Sequence, residues 1–324
     1  RSMMLETFDT HTGHNFLRKG SGELHPQDAH VVMEDAGALF EVAFPPSGYE
    51  SPFSIFPNET IYPRVDSGVN KGTPLHKYVI RTDTDQVLGL HSHKYAETDG
   101  YKFIADMAEE LFPKTTTSCT VFGAGEKIAV TQELVSPIDL GGNDIIQPQI
   151  CWITSYNGVW ATAVYDLTHR LFCQNQLVGQ PLVKVKHTKN HDSLLEMRVR
   201  ILEGSIARAE ALETMARILK DQEFTDGQFA ELTDQVLPLK ANMTSRQEDN
   251  VWNRRHYCRA AWVAERNEFG EGNRWMAYNA IQGTEQHKIN GRARGGRYDP
   301  MKAMEKAIDN KTPMAEQAMA LLGV

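Results

Sequence analysis

The run Ile145-Ile146-Gln147-Pro148-Gln149-Ile150-Cys151-Trp152-Ile153-Thr154-Ser155-Tyr156-Asn157-Gly158-Val159-Trp160-Ala161-Thr162-Ala163-Val164-Tyr165 sets two apolar, β-branched and aromatic segments around an Asn-Gly pair. Asn-Gly suits the left-handed central positions of a two-residue hairpin turn, so the pattern predicts paired strands over about 145–156 and 159–174. Toward the N-terminus, 117–135 reads as a further β segment broken near Gly123-Ala124-Gly125. Before it, Tyr78-Val79-Ile80-Arg81 and Val87-Leu88-Gly89-Leu90 flank the turn residues Asp83-Thr84-Asp85 as a hairpin. Between these lies a helix that Thr98 or Asp99 can cap, with Tyr101, Ile104, Ala108 and Leu111 at helical spacing and Pro113 as its stop. Toward the C-terminus, Val183-Lys184-Val185-Lys186 alternates, so both lysines share the face opposite the valines.

A long helix follows, starting at Asp192 or Ser193, where Ser193 and Glu196 have capping-box spacing. Leu195, Val199, Leu202, Ile206, Ala209, Leu212, Ala216 and Leu219 step by three and four along it, an apolar stripe suited to a core or to packing between copies. Further helical stretches are expected near 228–236, 245–266, 273–285, 300–310 and 313–322. A short helix over 29–37 and a strand over 40–44 precede the first hairpin. The expected architecture is α+β: a hairpin plus an antiparallel β-meander packed on a long helix, with a helical C-terminal region. The expected division is an irregular N-terminal arm over 1–75, a core domain over 76–222 and a helical region over 223–324.

The chain has 324 residues, with 34 Lys+Arg against 42 Asp+Glu and 41% hydrophobic residues, the profile of an ordinary globular protein. A net charge of −8 argues against coating of duplex DNA by the whole surface, so any nucleic-acid site must be local. There is no uninterrupted apolar run long enough to span a bilayer and no basic-then-apolar leader, so no membrane association and a cytoplasmic location are expected. Cys119, Cys151, Cys173 and Cys258 lie far apart, the spacing of free thiols rather than of a zinc site.

Nucleotide-binding and hydrolase motifs are missing, and Gly123-Ala124-Gly125 leads into another strand rather than a helix N-terminus. His91 with His93 and His187 with His191 could pair in space, but no third ligand follows from the spacing, so neither metal nor cofactor is expected. Cationic and aromatic residues carry more. Arg170, Lys184, Lys186, His187 and Lys189 follow strands bearing Trp152, Tyr156 and Trp160. Cations can track a phosphate backbone while aromatic faces stack unpaired bases, although the same aromatics also suit a core. A second basic group comprises Arg254, Arg255, Arg259 and, in Gly-rich chain, Arg292, Arg294 and Arg297.

From Tyr78 to Gly89, through Ser155-Tyr156-Asn157-Gly158, Arg170-Leu171-Phe172-Cys173-Gln174-Asn175-Gln176-Leu177 and Lys186-His187-Thr188-Lys189-Asn190, the sequence resembles a family of uncharacterised phage- and plasmid-encoded proteins, a domain of unknown function. Arg274-Trp275-Met276-Ala277-Tyr278-Asn279-Ala280 extends the resemblance, which covers 76–285. It departs from the family pattern at Gln176 and Lys189, and since the family has no established enzymatic activity, the resemblance supplies no mechanism. The inferred order of hairpin, meander and long helix is also similar to the core of single-strand annealing recombinases of the RecT, Red-beta and Erf types, which implies an ATP-independent oligomer.

The expectation is therefore a single-stranded DNA-binding protein that anneals strands as a homo-oligomeric ring or filament, alongside a partner exonuclease. Two alternatives stand beside it. One is a metal-dependent hydrolase or nuclease using Asp139, Asp144 and Asp166, and the other is a non-catalytic structural or regulatory oligomer.

Overall fold

A computed structural model describes residues 28–45, 76–97, 99–134, 137–170, 176–185, 194–290, 300–309 and 312–323. The class is the expected α+β, with two antiparallel sheets and a helical C-terminal region. Contacts group the chain into two compact units, each assembled from three stretches. Among the described residues, the first takes those within 1–134, 150–166 and 180–205, and the second those within 135–149, 167–179 and 206–324.

The first unit opens with helix α1 (Ala29–Asp35), which buries Ala29, Val32 and Met33 at helical spacing. Its N-cap, Asp28, makes no side-chain bond, and the Ala29 amide instead donates to Glu109 Oε2 at 2.7 Å. Strands β1 (Val42–Ala43), β2 (His76–Arg81) and β3 (Gln86–Ser92) form a sheet in that order. The β2–β3 hairpin turns at the expected residues, with Asp85 in the left-handed region at φ 56°. Helix α2 (Gly100–Leu111) is capped by Asp99, which accepts from the amides of Tyr101 and Lys102, and it ends just before Pro113.

The larger sheet runs β4 (Thr117–Phe122), β5 (Lys127–Glu133), β7 (Ile145–Ser155), β8 (Thr162–Arg170), β9 (Gln176–Val185), with β6 (Ile138–Asp139) paired to β7. The β7–β8 connection is wider than the expected two-residue hairpin. β7 stops at Ser155 because the Tyr156 amide donates to Glu126 O and its carbonyl accepts from His91 Nε2. Ser155 Oγ then bonds both Trp160 N and Trp160 O at 2.9 Å and closes the loop. Gly89 is required beside this loop, since a Cβ there would sit 2.2 Å from Tyr156 O.

Helix α3 (Leu194–Lys220) forms as expected, and its proposed capping residues Asp192 and Ser193 lie outside the described residues. The stripe is corrected in its first half. Val199, Leu202 and Ile206 are 44%, 37% and 56% exposed, while Ile201, Ser205, Ala216 and Leu219 are buried. Ser205 takes a core position because its hydroxyl donates to Leu202 O, which an all-apolar pattern overlooks.

In the second unit, helices α4 (Asp226–Val236) and α5 (Ser245–Phe269) both begin with complete capping boxes, Thr225 with Gln228 and Thr244 with Gln247. Helix α6 (Arg274–Gly283) passes into a π-helical stretch, Thr284–Asn290, and helices α7 (Pro300–Ile308) and α8 (Pro313–Leu322) follow. Phe229, Leu232, Trp262, Trp275, Tyr278, Ile281 and Leu322 are among the side chains of its core. Glu285 of the π-helix caps α8 from outside, accepting from the amides of Met314 and Ala315 at 3.0 and 2.9 Å. The unit also buries Arg170, Asp144 and Glu265 together.

Candidate nucleic-acid interface

The aromatic residues expected to line a strand-side groove are core residues. Trp152 is 2% exposed, and its indole N–H donates to Gln132 Oε1 at 2.8 Å. Tyr156 is buried with its hydroxyl donating to Asp99 Oδ1, which in turn caps α2, and its ring stacks on Tyr101 at 4.2 Å. Trp160 is buried edge-on against Phe122, with the Lys127 ammonium 4.9 Å from its ring. The indole N–H of Trp152 and the hydroxyl of Tyr156 already have partners inside the protein, and all three rings are buried, so they offer no free face to a base. Burial pushes the hydroxyls of Tyr101 and Tyr156 well above the ordinary tyrosine range.

Arg170 is likewise withdrawn from the surface. It is 2% exposed, forks onto Asp144 through Nε and Nη2 at 2.6 and 2.9 Å, and reaches both oxygens of Glu265 at 2.7 Å. Trp275 Nε1 donates to the same Asp144 carboxylate, and the rings of Phe269 and Trp275 lie 4.6 and 5.8 Å from the guanidinium. Burial raises the Glu265 carboxyl above its usual range, a shift that Arg170 opposes. Of the expected basic residues on that strand face, Lys184 is exposed on β9, and Lys186, His187 and Lys189 lie outside the described residues, as do Arg292, Arg294 and Arg297.

Of the carboxylates of the hydrolase alternative, Asp139 and Asp144 have partners within the protein. Asp144 is held by Arg170, Asp139 accepts from the Gly141 amide, and among the described residues no group of three or more His, Cys, Asp or Glu is placed to hold a metal. His91 is half-buried, stacked on Tyr95 at 3.9 Å and bonded to Tyr156 O; burial holds its ring below the ordinary histidine value.

A different surface combines aromatic and cationic groups. Trp252, His256, Arg259, Val263 and Arg266 follow one another along α5 at steps of four, three, four and three, and all are exposed. At 1.5 Å per residue this single face runs for about 21 Å. Trp252 is 50% exposed, and the Arg255 guanidinium lies 5.1 Å from its ring. Arg255 is itself fixed, donating to Leu237 O at 3.0 and 2.7 Å and paired with Asp234 at 2.7 Å. Trp252 is thus braced from inside while leaving surface to solvent.

Farther along the face, Arg266 pairs with Asp226, which also accepts from Trp262 Nε1 at 2.8 Å. Those donors, the indole N–H first and then the guanidinium, hold the Asp226 carboxyl below its usual range. Trp262 is buried and stacks on Phe229 with centroids 4.7 Å apart and planes 7° from parallel. Gly272 allows the chain to pass, because a Cβ there would meet Trp262 at 2.6 Å. Arg259 makes no ion pair among the described residues and stands open on the helix. Sequence reasoning singled out Arg259 but missed Trp252 and Arg266; the spacing of 252, 256, 259, 263 and 266 was the available signal.

Residues 88–309, more than half the chain, match the model of a family described as a domain of unknown function, DUF932. No curated protein and no solved structure matches the chain. No helix among the described residues is long and apolar enough to cross a membrane.

Proposed function

The chain belongs to that family, and for this member of it we propose a role in binding single-stranded DNA and annealing complementary strands without ATP, with α5 rather than the strand face as the binding surface. The observation that carries the reading is the exposed line from Trp252 to Arg266, where a braced aromatic ring is followed on one helix face by Arg259, which has no ion pair among the described residues, and then by Arg266, paired with Asp226. Single strands bind without sequence preference where cations follow the phosphates and aromatic faces accept bases. A local cationic line is also the form that nucleic-acid binding can take on a chain of net charge −8.

Annealing of this kind works through several copies of the protein. The exposed Val199, Leu202 and Ile206 on α3 supply apolar surface for self-association. The test is fluorescence anisotropy with a labelled 30-nucleotide strand, beside an annealing assay without nucleotide or metal. Salt-sensitive binding and accelerated annealing support the proposal. Absence of binding at low salt removes it and leaves a structural or regulatory oligomer as the better account.

A further inference from the structure

Beside the α5 line, the start of α4 and the end of α5 enclose an open groove of about 730 Å³. Phe229 and Trp262, buried and stacked on one another, line it together with the exposed Val263. Arg259, Asn267 and Glu271 line it, and none of these three has a side-chain hydrogen bond or ion pair among the described residues. The volume lies in the range of small-molecule sites, which are mostly apolar with a few convergent polar groups.

We infer that this groove receives one base swung out of the bound strand, and that Glu271 makes it favour a base with an exocyclic amino group over thymine. The inference rests on the single-strand reading above and names the chemistry that reading leaves open. Arg259 lies both on the α5 line and in the groove, so a phosphate held there brings the adjoining base to the groove mouth. An ionised carboxylate has only acceptors, whereas the Asn267 amide both donates and accepts. Cytosine offers an amino donor at the position where thymine offers a carbonyl oxygen. Against Glu271 the first makes a hydrogen bond and the second sets oxygen against oxygen. Asp226 adds little discrimination, because Trp262 and Arg266 already occupy its carboxylate.

The experiment compares oligo-dC and oligo-dT of equal length, at one salt concentration and pH 8, on the full chain and on Glu271→Gln. Glu271 is exposed, so the variant keeps the wild-type melting temperature. The expected result is about tenfold tighter binding of oligo-dC by the wild type, the scale of one well-made base contact. In Glu271→Gln, where the amide can turn its donor toward thymine, the two affinities converge to within about twofold. Equal wild-type affinities, or a preference that survives in Glu271→Gln, overturns the groove assignment while single-strand binding stands. Failure of both oligonucleotides to bind overturns the single-strand reading, and this inference with it.

Discussion

The loop around Trp160 in the first unit and the α5 face around Trp252 in the second use the same ingredients to opposite ends. Lys127 lies 4.9 Å from the Trp160 ring and Arg255 lies 5.1 Å from that of Trp252, so each indole has a cation beside it. Trp160 is nevertheless buried against Phe122, and its backbone N–H and carbonyl are both bonded to Ser155 Oγ. Trp252 leaves half its surface to solvent, with Arg259 unpaired among the described residues seven positions on. An aromatic–cation neighbourhood is therefore no sign of a ligand in itself. What separates the two regions is whether internal partners consume the polar groups and the ring faces.

Stability separates the two regions most strongly. Arg170→Ala removes the guanidinium between two buried carboxylates, and melting should show a loss of about 3–5 kcal/mol. Trp160→Ala should also lose about 3–5 kcal/mol, as a large core residue does. A Trp160→Ala protein with unchanged stability would return that ring to the surface and reopen the strand-side groove. On the other side, Trp252→Ala should leave the melting temperature nearly unchanged and weaken single-strand binding by about 1–3 kcal/mol, the usual contribution of a stacked ring.

Smaller effects sharpen the contrast. Arg259→Ala should lower the slope of log affinity against log salt by about 0.7, one phosphate contact on a single strand. Glu285 tests the internal use of charge in the second unit. Burial pushes its carboxyl above the usual range although it caps α8 through two amides. A raised carboxyl contributes stability that is present below its unfolded value and lost as pH rises through its folded one. Thermal melts should therefore show the advantage of the wild type over Glu285→Gln shrinking as pH rises through that window. An advantage that grows with pH contradicts the assignment.

The sequence made local features legible. Asp99 before the periodic Tyr101, Ile104 and Ala108 signalled a capped helix, and Asp83-Thr84-Asp85 signalled the first hairpin, because caps and turns depend on neighbours within a few residues. Burial on β7 was not legible. Every residue from Ile146 to Ser155 is buried, so both faces are covered and no alternation marks which aromatic points inward. The fate of Arg170 was equally hidden, since its partners lie 26 and 95 residues away. The α5 face repeats at helical spacing, but it mixes aromatic, apolar and cationic residues on a largely polar helix, so no apolar stripe marks it as the stripe marks α3. There, Ser205 displaced the true buried line by bonding its own helix.

Whether α5 is the binding surface is decided by the double variant Trp252→Ala/Arg259→Ala. Anisotropy titrations with a 30-nucleotide single strand across a salt series, beside a thermal melt, give both quantities needed. With α5 as the binding surface, the melting temperature is unchanged, affinity is lower by about tenfold or more at every salt concentration, and the slope is reduced by about 0.7. Wild-type affinity and slope in a correctly folded double variant would contradict it.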